Sequence, residues 1–149
     1  MIRREYILRI IEEFFEVLSR INALKQGLKW QEAASQLDEE FQRLVGSGAE
    51  TAAKLTDTEL LARIIQGEPT QVVHAKTLML SNLLKEAGDI AAGQDRAEES
   101  RSCYLKGLHL LLESLAQGEI EDWPDLTPKV EAFVAALSDT PLPCRLKPC

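Results

Sequence analysis

Aromatic residues are scarce in this 149-residue chain, at 5%, which weighs against the aromatic-rich patterning of sheets and sandwiches. Cysteine is scarce too: Cys103 lies mid-chain, and Cys144 and Cys149 lie near the end. Three thiols with no secretory pattern argue against a disulfide framework. Positive charge is outweighed, the formal net charge being −7, so a basic stripe for nucleic acid is not expected, nor an affinity for anionic membrane. No apolar run approaches the roughly eighteen residues of a membrane span. The opening Met-Ile-Arg-Arg-Glu soon meets Glu12, Glu13 and Glu16, which interrupt the apolar core of a signal peptide. The expected location is the cytoplasm.

Catalytic signatures are missing as well. No Gly-rich phosphate loop follows a strand pattern, and no GxSxG, HxxxH or HExxH spacing occurs. The acidic groups Glu12/Glu13/Glu16 and Glu98/Glu99 read as solvated helix faces. No catalytic residue, cofactor or metal is expected.

What the chain does contain is Leu, Ala, Ile and Glu at helical spacing. Its length suits one domain, burying roughly 68–70% of the unfolded surface. Residues 2–26 read as the first helix: Ile7, Ile11, Phe14, Leu18 and Ile21 form one stripe and Ile10, Val17 and Leu24 a second. Together they span about 140° at 100° per residue, wider than an ordinary surface helix, so this face should meet two neighbours. Gly27 breaks the helix, and a second runs from Trp30 to Val45 with Leu37, Phe41, Leu44 and Val45 inward. Gly46-Ser47-Gly48 ends it, and residues 49–55 add a turn of helix. Thr56-Asp57-Thr58-Glu59 is a capping-box start for a short connector through Ile65, which Gly67-Glu68-Pro69 stops.

Thr70 caps the next helix, and residues 78–115 read as a helical hairpin. Leu80, Leu83, Leu84, Ala87, Ile90 and Ala91 line one half; Tyr104, Leu105, Leu108, Leu111, Leu112 and Leu115 line the other. Between them, Gly93 suits a helix C-terminus and Asp95 the next N-cap. Gly88, Ser100 and Gly107 interrupt good helix formers, and a mid-helix Gly costs roughly 1 kcal/mol, so close packing is expected there. Pro124 or Pro128 opens a last helix through Val130, Phe133, Val134 and Leu137. The expected organisation is one helical domain over 1–138 and a flexible Pro/Cys tail over 139–149.

The hairpin resembles a tetratricopeptide repeat, whose helix pair carries small residues at the places of Gly88, Ser100 and Gly107 and an aromatic at that of Tyr104. It departs from that pattern at Ala91, where an aromatic is usual, and in its turn glycine, which comes two residues early at Gly93. GLKWQEA resembles the turn of such a hairpin, with Trp30 at the aromatic position and Ala33 at the small one. MIRREYILRIIEEF, GLKWQEA and AAGQDRAEESRSCYLKGLHLLLESL together look like a family of short, uncharacterised bacterial helical proteins. That likeness carries no activity with it. It implies an all-α fold of tetratricopeptide-like antiparallel hairpins, closed by a connector helix and a C-terminal helix. It also implies that the outer side of the first hairpin helix, with Asn82, Lys85 and Asp89, lines a partner-binding face for a peptide or protein.

Two hairpins are few for a free-standing solenoid. The breadth of the first helix therefore points to a homodimer through Ile7, Ile11, Phe14 and Leu18. The reading is a non-catalytic interaction module that associates with itself. The alternative is a small enzyme or a metal-binding or redox regulator using His74, His109 or the tail cysteines, with Arg145 and Lys147 beside the latter.

Overall fold

The computed structural model describes residues 2–65 and 70–116. Among them are six helices and no strand: α1 (Ile2–Gln26), α2 (Trp30–Val45), α3 (Ala49–Lys54), α4 (Asp57–Ile65), α5 (Thr70–Gly93) and α6 (Ala97–Ala116). The expected C-terminal helix and the tail lie outside the described residues.

Local chemistry accounts for the helix ends. The connection from α1 to α2 is a Schellman turn. The Lys29 amide donates to the Leu24 carbonyl (2.9 Å) and the Leu28 amide to that of Lys25 (3.0 Å). Leu28 occupies the left-handed position at φ 59. After α2 that position falls to Gly46 (φ 78), whose amide closes on Gln42 at 3.0 Å. The capping box before α4 forms in both directions. The Glu59 amide donates to Thr56 Oγ1 and the Thr56 amide to Glu59 Oε1, each at 3.1 Å. These bonds hold the Glu59 carboxyl below its ordinary pKa. Arg63 then donates to Ser47 Oγ at 2.8 Å, tying α4 to the end of α2.

The turn from α5 to α6 repeats the first turn. The Arg96 amide donates to Ala91 (2.8 Å) and the Asp95 amide to Ala92 (3.2 Å). Asp95 sits at φ 62. It is therefore the left-handed residue of the turn, and the expectation that it caps α6 is corrected. Arg96 occupies the residue before α6, its carbonyl accepting from Ser100 at 3.0 Å. Asp fills a left-handed position readily because its short side chain can hydrogen-bond nearby.

α5 lies at the centre, packed against α1, α2, α4 and α6. From Val72 to Ala91 none of its residues is fully exposed, which is the mark of a helix surrounded by others. Leu78, Leu80, Leu83, Leu84 and Ile90 share the core with Ile21, Phe41, Leu60, Leu110 and Leu111. The broad face of α1 does meet two neighbours, α2 and α5. Both belong to the same chain.

Candidate functional site

Two features outside the aliphatic core carry polar chemistry: a half-buried ion cluster and a groove. The cluster begins at Gly88. A Cβ there would lie 2.6 Å from Tyr104 Cδ1, so only glycine lets that ring cross the α5 backbone at this depth. Ser100 Oγ donates to the Gly88 carbonyl at 2.8 Å, which holds α6 close at the same point. The close packing expected of Gly88 and Ser100 is thus present, and Gly107 is buried as well.

With its ring over Gly88, Tyr104 donates its hydroxyl to Asp89 Oδ1 at 2.5 Å. Asp89 Oδ2 accepts from Lys25 at 2.7 Å and from Lys85 at 3.0 Å. Lys25, from the last turn of α1, also pairs with Glu86. The side chains of Lys25 and Glu86 are 13% and 12% exposed, so one helix end plants an ammonium between two carboxylates of another.

The electrostatics follow from this crowding. Burial alone would lower the pKa of Lys25, but the hydrogen bonds and charges of Asp89 and Glu86 outweigh it and leave it raised. Burial alone would raise Asp89, but Lys25, Tyr104 and Lys85 together leave it lowered. Burial and the adjacent Asp89 carboxylate push the Tyr104 phenol upward. At neutral pH Lys25 is therefore an ammonium, Asp89 a carboxylate and Tyr104 a neutral phenol.

The partner-binding residues expected at Asn82, Lys85 and Asp89 need correction in their exposure. All three are half-buried. Asn82 Nδ2 donates to the Leu78 carbonyl at 2.8 Å, while Lys85 and Asp89 belong to the cluster. The reason is the end of α1, which lies over this part of α5 and brings Lys25 to it. Of the self-association residues, Ile11 and Phe14 are buried and Leu18 is half-buried against the core. The side chain of Ile7 lies outside the described residues.

The second feature, a groove of about 700 Å³, runs between α2 and the turn end of the second hairpin. Its floor is formed by Ala34, Leu37, Ala87, Ile90 and Ala91. Gln31, Ser35 and Asp38 edge it on α2, with Glu99 and Ser102 opposite on α6 and α3 closing one end through Glu50 and Lys54. Charges on this rim pair with each other: Arg96 with Glu99, and Lys54 with Glu50 at 3.8 Å. A Cβ at Gly48 would lie 3.2 Å from Asp38 Cγ, so the Asp38 carboxylate sits against the chain entering α3. Trp30 packs at the same end of the molecule. Its ring occupies the space beside Gly93, where a Cβ would lie 2.5 Å from Cε2. That contact, rather than a left-handed turn, is the reason for glycine at 93.

Cys103 lines the groove but is itself buried, and burial pushes its thiol up to about 11. Such a thiol is protonated and unreactive at neutral pH. His74 is half-buried and His109 exposed. Among the described residues no group of three or more His, Cys, Asp and Glu is placed to hold a metal ion. The tail cysteines, Cys144 and Cys149, lie outside the described residues. Nor is any described helix long and apolar enough to cross a membrane.

Protein-family models, curated proteins and solved structures were each compared with the chain, and none matches. Among the described residues the fold is all-helical, with α5 of the second hairpin packed against both α1 and α2.

Sequence reasoning missed the groove and the role of Lys25. A basic residue in the last turn of a helix normally reads as dipole compensation. The groove had one faint signal: Ala34, Ala87 and Ala91 are small residues on otherwise large-residue faces.

Proposed function

We propose that this chain is a cytoplasmic, non-catalytic protein-interaction module of tetratricopeptide-like hairpins. In this reading the connector helices α3 and α4 and a C-terminal helix close its core, and it holds an extended, uncharged peptide in the groove beside α2. The observation that carries the reading is the groove itself: about 700 Å³ above a floor of Ala, Leu and Ile. Sites of this size usually present an apolar floor with a few placed polar groups. Lys54 and Arg96 face three carboxylates on the rim, Asp38, Glu50 and Glu99, so the rim disfavours an acidic occupant and asks for little net charge. Gln31, Ser35 and Ser102 offer hydrogen bonds to a peptide backbone, while the alanines leave room for aliphatic side chains.

Self-association through α1 loses its original motive, since Ile11 and Phe14 are covered by the chain's own helices. Peptide capture keeps its motive, moved from the Asn82–Asp89 stripe to the groove. The test uses three sets of end-blocked, fluorescein-labelled octapeptides: aliphatic and uncharged, acidic, and basic. Anisotropy titration should give micromolar binding for the uncharged set. Ser35→Trp, which fills the groove from an exposed position, should abolish it while leaving the melting temperature unchanged. Failure of all three sets to bind, or binding indifferent to Ser35→Trp, would sink the proposal.

A further inference from the structure

We propose that the cluster of Lys25, Glu86, Asp89 and Tyr104 is a register lock, a conformational device that admits one docking of the first hairpin on the second. The argument starts from what the apolar interface cannot do. From Val72 to Ala91 no residue of α5 is fully exposed, and its buried positions are largely Leu, Val, Ile and Ala. Aliphatic burial is non-directional. A slide of α1 by one helical turn, about 5.4 Å, would exchange one apolar contact for another along most of the interface, except at the seat of Trp30 beside Gly93. It would not be so tolerant of Lys25. The ammonium would leave Asp89 and Glu86: Lys25 and Glu86 would lose their ion pair at a site largely removed from water, the costly state of a buried charge, while Asp89 would keep only Tyr104 and Lys85.

The cluster penalises wrong registers more than it stabilises the right one. Desolvating two carboxylates and two ammonium groups offsets much of their attraction, so a buried ion pair contributes little net stability over an apolar replacement. Its geometry also reaches beyond α1 and α5. Tyr104 couples it to α6, and Gly88 sets the depth of that ring, so the lock is referred to both helices of the second hairpin. Lys85 adds a second cation from α5 itself. Beside the steric seat of Trp30 at Gly93, the cluster gives the interface its directional contacts.

The test is the variant Lys25→Met/Glu86→Leu/Asp89→Leu/Tyr104→Phe of the full chain, with Trp123→Phe in both it and the parent. The remaining indole, Trp30, sits between the hairpins beside Gly93. The parent should give one sharp indole N–H resonance. The apolar variant should melt at or above the parent temperature yet show several indole resonances, or one broadened by exchange. A single sharp resonance at the parental shift would overturn the proposal, because docking would then be unique without the cluster. Failure of the variant to fold would overturn it equally, because the charges would then be needed for stability rather than register. Lys25→Met alone gives a second reading. Amide exchange in α1 and α2 should accelerate at least tenfold while that of α6 changes less than twofold. Uniform acceleration across all helices would count against the lock.

Discussion

The two hairpins share a turn and differ in almost everything packed around it. Matched on their left-handed residues, Leu28 and Asp95, they make the same pair of turn hydrogen bonds. The matching then sets Ile21 against Gly88, Ala33 against Ser100, and Leu37 against Tyr104. All six are buried. The first hairpin fills the space between its helices with aliphatic side chains. The second removes a side chain at Gly88 and lays an aromatic ring in the gap. Backbone hydrogen bonding sets the turn whatever residues occupy it, while the facing side chains set how closely the helices approach. α5 and α6 are accordingly the most extensively packed pair.

The sharpest way to break the comparison is to change volume at the matched positions. Ile21→Ala should leave a cavity and cost about 3 kcal/mol, while Gly88→Ala should drive a methyl into the Tyr104 ring and cost about 2 kcal/mol. Urea midpoints measure both. If Gly88→Ala were neutral, the ring would be free to withdraw and the two hairpins would be packed alike.

A second difference is ionic. Asp89 matches Asn22 in the first hairpin, which carries no charge and is exposed. Asp89→Asn should cost about 2 kcal/mol at pH 7, below the usual range for a broken buried pair because the site is not fully enclosed. The folded pKa of Asp89 is depressed, so its contribution is complete above the unfolded value of about 3.9. That contribution disappears as the pH falls through the folded value. Stability measured by urea titration from pH 7 downward should show the variant's deficit shrinking below about pH 4. A deficit that stays constant into acid would mean the charge of Asp89 is not what holds Lys25.

The turns themselves offer the smallest effect. Leu28 is 70% exposed and left-handed, a conformation costing roughly 1–2 kcal/mol for an ordinary L residue. Leu28→Gly should therefore stabilise by about 1 kcal/mol in thermal melts. Asp95→Gly should give only a few tenths, since Asp tolerates this geometry better. Equal gains would show that the side chain of Asp95 contributes nothing to its turn.

These contrasts also explain what could be read from sequence. The spans 2–26 and 30–45, the capping box at Thr56 and the helix over 49–54 depend on neighbours a few residues away, and such signals are local. Gly88 was legible as a close approach, because a glycine inside a helix needs a reason, although the ring that supplies it comes from the opposite helix. Asp95 was misread because Asp favours both an N-cap and a left-handed position. The exposure of Lys85 and Asp89 depended on Lys25, far away in the chain, and no periodicity within α5 reports the position of α1. The breadth of the α1 face correctly implied two neighbours but could not say to which chain they belonged.

Cys103 gives the molecule a clock. Its side chain is buried beside the groove and burial pushes its thiol up to about 11, so in the closed state at neutral pH the thiol stays protonated. Alkylation must then wait for the moments when α6 lifts from its neighbours and the thiol returns to an ordinary pKa of about 8.5. With Cys144 and Cys149 replaced by serine, the rate of iodoacetamide uptake counts those openings. An occupant that spans the groove would slow the count, so the chain can time its own breathing without an added label.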